Sequence, residues 1–315
     1  MTNSNSPRSL QPKTAEMPAI GVATGGIKGR SLWADARNRF MQNKAAMTSV
    51  LVLFLIVMFA FFGDFLTEYD NETMDFNVLG NVEKVGRPSL STGHYFGFDD
   101  SARDLFARVV QGSRISLAVG VIGAAIAVLA GTLYGTVAGY MGGRVDSIMM
   151  RIVDILMSIP SMFILILLMV VFTRSVTMIF VGIGLTAWLD MSRIVRGQTL
   201  SLKNKEFIEA ARAIGVPTRS IIRRHIVPNL LGVVVVYATL LVPAMILTES
   251  FISFLGLGVQ EPQTSWGALI SEGVKSMYYG TWWHLAFPLG FFVVTIFSFF
   301  FIGDGLRDAL DPKDR

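Results

Sequence analysis

Six apolar stretches of this chain, near 45–63, 115–140, 152–173, 176–190, 230–255 and 284–303, dictate most of what it can become. A helix needs about 20 apolar residues to cross the hydrocarbon core of a bilayer, and the fourth stretch is the shortest of the set. Backbone N–H and C=O groups find no water at that depth and must satisfy one another, so each stretch is read as a helix. The reading is an all-α integral membrane protein with six transmembrane helices. Composition agrees: 52% of residues are hydrophobic and 16% charged, a balance that belongs to membrane proteins. The chain holds no cysteine, which removes disulfides, a thiol nucleophile and Cys-based metal sites. The first apolar stretch is followed by Gly63-Asp64-Phe65-Leu66, which is not a small-residue cleavage site, so no cleavable signal peptide is read.

Orientation follows from where Lys and Arg sit rather than from the net charge of +4. The N-terminal tail, the 139–151 loop, the 191–229 loop and the C-terminal tail together carry 20 Lys and Arg, and the opposite side carries 7. The positive-inside rule puts the first set, with both termini, in the cytoplasm. Residues 1–30 mix Ser, Pro, Thr and Gly without apolar periodicity and are read as a disordered cytoplasmic tail. Its Gly21–Gly29 run fails the phosphate-loop pattern, because Ile27 intervenes and no Ser or Thr follows Lys28. Residues 31–44 have Leu32, Trp33, Ala36 and Phe40 on one side and Arg37, Arg39 and Lys44 on the other. That pattern predicts an amphipathic interfacial helix, capped by Ser31.

The 191–229 loop contains a charged, helix-forming island from Glu206 to Asn229. Ile208, Ala211 and Ile214 are placed on one helical face, with Glu209 and Arg212 elsewhere. Gly215 supplies a C-cap, and Pro217 suits the first turn of a second short helix. On physical grounds alone this is either an ordinary connection or a soluble helix pair that serves as a handle for a cytoplasmic partner.

The second span carries Gly123, Ala127, Gly131, Gly135, Gly139 and Gly143 at every fourth position. Such a stripe lets backbones approach closely and predicts an internal packing seam. Pro160 and Pro243 should bend the third and fifth spans. The outer loop 64–114 is acidic and ends in Ser101-Ala-Arg-Asp104, which reads as a capping box. The outer segment 256–283 holds Trp266, Tyr278, Tyr279, Trp282 and Trp283, and predicts a short helix from about Ser265 to Met277 near the interface. Residues 304–315 form the C-terminal tail.

Ionisable residues within membrane spans are costly and are functional candidates by default. Asp154 falls about one turn from Arg151 and is expected to pair with it; Asp190 is expected to pair with Arg193. Glu249, beside Thr248 and Ser250, either lines a pathway or hydrogen-bonds a neighbouring helix. His94, His225 and His284 are far apart in sequence and depth, so no metal site is read.

Particular motifs resemble the C-type permease subunit of bacterial oligopeptide ABC importers. They are Gly29-Arg-Ser-Leu-Trp-Ala-Asp-Ala-Arg37, His94-Tyr-Phe-Gly97 with Arg103-Asp104, Gly112-Ser-Arg-Ile-Ser-Leu117, Ser253-Phe-Leu-Gly-Leu-Gly258 and Gly303-Asp-Gly-Leu-Arg-Asp-Ala-Leu-Asp-Pro312. To these is added Glu209-Ala210-Ala211, Gly215 and Ile226-Val227-Pro228, which resembles the EAA loop of ABC-importer permeases. The family pattern outside reads Gly-Thr-Asp then Gly-Arg-Asp, where this chain has Gly97-Phe98-Asp99 and Ala102-Arg103-Asp104.

The resemblance implies a type I ABC importer permease fold, with 115–303 as a five-helix core after the first span. It implies a cytoplasmic coupling helix in which Glu206, Glu209, Ala210, Ala211, Gly215, Ile226 and Pro228 engage an ATPase. It also implies a second homologous permease subunit, two ATPase subunits that bind ATP and Mg, a periplasmic peptide-binding protein and a peptide substrate, all at the bacterial inner membrane. No cofactor, catalytic residue or nucleic-acid partner is expected for this chain. Related permeases serve dipeptides, peptide antibiotics or nickel complexes. A stand-alone secondary carrier is the reading from a different class, against which the six spans show no internal repeat and no interior chain of acids. A membrane enzyme is disfavoured because no His-Glu-x-x-His or Gly-x-Ser-x-Gly pattern occurs.

Overall fold

The computed structural model describes residues 32–172 and 174–310, and every regular element among them is helical. The expected tail over 1–30, the Ser31 cap and the last residues of the C-terminal tail lie outside the described residues. Helix α1 (Leu32–Gln42) ends at Asn43, whose side-chain carbonyl accepts the Ala46 N–H at 3.1 Å and opens α2 (Lys44–Phe62). A 3₁₀ turn over Gly63–Leu66 continues α2, and the loop after it holds the short helix α3 (Val82–Val85) before α4 (Leu105–Met141).

The second span starts earlier than its apolar run suggests. Asp104, not Ser101, is the N-cap of α4, and its carboxylate accepts the Ala107 N–H at 2.8 Å. Arg108 and Arg114 both sit in α4 and are held by partners distant in sequence. Gly142 and Gly143, both at positive φ, turn the chain into α5 (Gly143–Met157). Helix α6 (Ser161–Val171) follows, bent 67° from α5 at a break ending in Pro160. Proline offers no N–H and disfavours helix in the residue before it, which accounts for the break.

Helix α7 (Val176–Leu202) runs well past residue 190, where its apolar run ends. Beyond it come α8 (Glu206–Ala213) and α9 (Thr218–Ile221). Helix α9 passes through one π turn, Ile222–Ile226, directly into α10 (Val227–Phe254). So the second short helix is the start of the fifth span rather than a separate element. Pro228 cannot donate to the preceding turn, and Asn229 Nδ2 instead donates to the His225 carbonyl at 2.6 Å, which suits the widened turn there. Pro243, unlike Pro160, lies inside its helix without ending it. Helix α11 (Trp266–Ser276) is capped by Ser265, and α12 (Trp283–Leu310) absorbs most of the expected C-terminal tail. By length and composition, five of these helices can cross a membrane, and six can if the bent α5–α6 pair is one span.

Helix α4 packs chiefly on α7 and also on α10, while α12 packs on α2, α10 and α11. The stripe of small residues faces α7. A Cβ on Gly131 would lie 2.6 Å from Met191 Cβ, one on Gly135 2.3 Å from the Ser192 carbonyl, and one on Gly139 2.8 Å from Thr199 Cβ. Gly143 takes no part in the seam, since α4 has ended before it and a Cβ there would meet nothing. On the outer faces of the spans, Leu129, Leu133, Phe163 and Val170 are exposed, an apolar surface made for lipid or another subunit rather than water. Any added side chain at Gly135 must push the α4 and α7 backbones apart. We expect Gly135→Leu to abolish accumulation of folded protein, read as loss of the monodisperse peak after detergent extraction, with Gly143→Ala far milder.

Candidate functional site

Helix α8 and the bend after it project from one end of the bundle. Ile208 and Ala211 point inward and join a cluster with Tyr140, Val195, Ile221 and Ile226. Outward face Glu206, Phe207, Glu209, Ala210 and Ala213. Ile214 does not share the buried face with Ile208 and Ala211 and is instead 80% exposed. It is the C-cap residue, where the helix has ended, and the chain reverses at Gly215, whose φ is +80°. The Gly215 N–H donates to the Arg212 carbonyl at 3.0 Å and the Val216 N–H to the Ala211 carbonyl at 3.0 Å. This is a Schellman termination, and Val216 takes the inward place that helical spacing assigned to Ile214.

The loop is fastened to the end of α4. The Arg212 guanidinium lies 5.0 Å from the centroid of the Tyr140 ring, and its Nε donates to the Tyr140 hydroxyl at 3.3 Å. Lys203 Nζ donates to the Gly139 carbonyl at 2.9 Å. Glu206 and Glu209 sit in the first turn of α8, where negative charge complements the helix dipole. Pro228 is exposed and Ile226 fully buried. So the residues singled out by motif divide: Glu206, Glu209 and Ala210 can be touched by a partner, and Ala211 and Ile226 hold the loop to the body. Phe207 and Ile214, both apolar and exposed, add to the surface on offer. Helical spacing hid Ile214, because its exposure depends on where the helix stops.

The acids within the spans find different partners from those expected. Asp154 pairs with Arg193 of α7 at 2.5 Å, across the bundle, rather than with Arg151. That leaves Arg193 engaged away from Asp190, which is exposed. Glu249 is fully buried, so in this conformation it hydrogen-bonds neighbours rather than lining a pathway. Its carboxylate accepts from Ser116 of α4 at 3.1 Å and from Ser253 at 2.7 Å.

At the end holding α11, an ionic network ties three segments together. Arg108 Nη1 lies 2.5 Å from Asp99 Oδ2 and 2.6 Å from Glu272 Oε2. Arg103 donates to Asp99 at 2.8 Å and to Glu261 at 2.9 Å. Nearby, Asp100 receives His284 Nδ1 at 3.2 Å and the Ser276 hydroxyl. The hydrogen bond from His284 is the first cause that holds the Asp100 carboxyl below its ordinary value near 3.8; burial opposes it. A depressed carboxylate stabilises the fold above its ordinary value, and that contribution is lost as pH falls through the lowered one. The difference in thermal stability between the parent and Asp100→Asn should therefore be largest near neutral pH and shrink toward zero in strong acid. A constant difference across a melting series from pH 7 to pH 3 would contradict this assignment. Among the described residues no group of three or more His, Asp or Glu is placed to hold a metal ion.

Comparison with known proteins places this arrangement. The family model described as binding-protein-dependent transport system inner membrane component matches residues 131–315, which include the whole α8 loop. The chain belongs to this family of transport permeases. A second model, the N-terminal TM domain of oligopeptide transport permease C, matches residues 31–81. The oligopeptide transport system permease protein OppC of Escherichia coli K12 is 59% identical over 92% of this chain and 94% of its own length. OppC of Bacillus subtilis is 45% identical over 91% of this chain and 92% of its own, and the dipeptide permease DppC of the same organism is 44% identical over 89% and 86%. An inward-facing structure of the MetNI methionine ABC transporter superposes with a TM-score of 0.54 at 19% identity, covering 64% of this chain and 96% of that one. That likeness shows the type I permease fold. The chain is thus a multi-pass, inner-membrane permease of the ABC importer class, and the α8 loop lies within the part that the family shares.

Proposed function

We propose that this chain is the membrane-spanning subunit of an ATP-driven oligopeptide importer and forms half of its translocation pathway. A second, homologous permease forms the other half. One of two ATPase subunits docks on the α8 loop, and a periplasmic binding protein delivers peptide to the opposite end. The carrying observation is the 59% identity to an oligopeptide permease along almost the whole chain. The lower identity to a dipeptide permease ranks dipeptides second as substrates. The α8 geometry supports the mechanical part: a helix with acidic and apolar residues outward, seated on α4 and α7, can pass a push from an ATPase into the spans. ATP and Mg belong to those partners, and this chain contributes conformational change.

The experiment is reconstitution in liposomes of this chain with its second permease, ATPases and binding protein. Uptake should require ATP and the binding protein, and should accept oligopeptides of several sequences. Uptake by this chain alone, driven by an ion gradient, would overturn the proposal; a preference for dipeptides would move the substrate class.

Both termini and the α8 loop are assigned to the cytoplasm, from the excess of Lys and Arg on that side. Ser91 and Asn204 are exposed at opposite ends of the bundle. In a chain without cysteine, Ser91→Cys should react with an impermeant thiol reagent from outside and Asn204→Cys only after the membrane is opened. Labelling of both from one side would refute the topology.

A further inference from the structure

Glu249 is a wholly buried acid for which the transport reading has no use. Its surroundings are specific. Ser116 of α4 donates to Oε2 at 3.1 Å, and Ser253 donates to Oε1 at 2.7 Å. Ser250 donates to Oε2 at 3.3 Å. The first two serines are themselves acceptors. Ser116 Oγ takes the Trp266 N–H at 3.1 Å, from the first turn of α11, and Ser253 Oγ takes the Val259 N–H at 3.3 Å, from the turn after α10. Each hydroxyl thus receives a backbone proton on one side and gives its own proton to Glu249 on the other. A backbone N–H can only donate, so each hydroxyl accepts on that side and keeps its own proton to give to the carboxyl. They converge on one carboxyl group, one at each oxygen.

Close backbone approaches frame the same point. A Cβ on Gly112 of α4 would lie 3.2 Å from the Ser265 carbonyl carbon, one on Gly267 of α11 2.3 Å from the Ser250 carbonyl oxygen, and one on Gly258 2.0 Å from Ser253 Oγ. So α4, the end of α10, the following turn and the start of α11 meet around Glu249. From there a continuous helical rod runs back from Phe254 to Thr218 at the α8 loop, 37 residues in all, or about 55 Å.

We propose that Glu249 is a positioning residue: a hydrogen-bonded hub that locks α11 and the 256–265 turn to α4 and α10, so that the outer end of the permease moves with the rod that begins at the ATPase loop. This rests on the importer reading for what drives the rod, but not for the hub itself. A glutamine has the same shape and puts an NH₂ donor where one oxygen accepted. The serine opposite that NH₂ can only accept from it and must turn its own proton away from the side chain. Pure space-filling therefore predicts that Glu249→Gln is neutral, and the hub predicts that it is not.

The test has two arms. Hydrogen exchange on the purified complex should show amides of 256–276 exchanging at least tenfold faster in Glu249→Gln, with 206–216 unchanged. In the reconstituted importer the same variant should co-purify with its ATPases at parental level and keep basal ATP hydrolysis. Stimulation of hydrolysis by loaded binding protein, and peptide uptake, should fall at least tenfold. Glu249→Asp, which keeps two acceptors one methylene short, should recover part of both. If Glu249→Gln fails to assemble, Ser116→Ala decides: normal assembly with weakened stimulation supports the hub, and parental stimulation overturns it. Parental exchange and uptake in Glu249→Gln overturn it outright. The exchange arm needs neither peptide nor ATP. A parent complex that does not import would sink the importer reading and leave the hub to stand or fall on exchange.

Discussion

Arg108→Ala should deprive the end of the permease that holds α11 of its centre. The Arg108 side chain is 1% exposed and sits between Asp99, itself 5% exposed, and Glu272. Removing it leaves Asp99 buried with Arg103 as its remaining cation. Breaking a buried ion pair from one side costs on the order of 3–5 kcal/mol, because the surviving charge keeps its desolvation penalty. The same guanidinium also fixes the 97–104 loop and α11 to the start of α4, so its removal frees both from that helix. We expect folded Arg108→Ala to be scarce in membranes and to lose its thermal transition in detergent. Arg108→Lys should be intermediate, since an ammonium keeps the charge but cannot span both carboxylates with a planar fork. Parental yield and melting for Arg108→Ala would show that the network is dispensable.

Gly215→Val should leave the protein intact and disable it. At φ +80° a residue with a Cβ is strained, by roughly 1–2 kcal/mol in a left-handed helical conformation, and β-branching adds to that. A Cβ there would meet nothing within 4 Å, so the cost is conformational rather than steric. The bend reopens, and Ile214 and the end of α8 change direction. Gly215→Asn should be tolerated better, because Asn adopts this conformation more readily. Glu209→Lys tests the same joint by charge: it reverses a residue that faces outward and complements the α8 dipole. Both variants should insert and accumulate normally while uptake falls at least tenfold and ATPase association weakens. If both assemble and transport like the parent, the α8 loop is not the coupling element.

Legibility in the sequence followed the range of the interactions. Local patterns were readable. The helix beginning at Ser265 and the reversal at Gly215 each rest on residues within a turn or two of one another. Interactions across the bundle were not. The carboxylates that hold Arg108 and Arg114 in α4, Glu272 and Asp64, lie 164 and 50 residues away. Asp154 sits within a turn of Arg151, yet the bundle brings Arg193 to it from 39 residues away. Glu249 allowed two readings until Ser116, 133 residues distant, was seen to reach it. Ile214 failed for a different reason: helical spacing holds only while the helix lasts, and the Schellman turn ended it one residue early.

The most direct measurement of the central claim is a cross-link from the exposed tip of the α8 loop. Ile214→Cys, carrying a short photoactivatable cross-linker, provides it in a chain with no other cysteine. In the assembled importer this position should capture an ATPase subunit in high yield, with the yield changing when ATP is bound. Tyr278→Cys, exposed at the opposite end, should capture none. An ATPase adduct from position 278, or none from position 214 in a complex that still transports, would contradict the account.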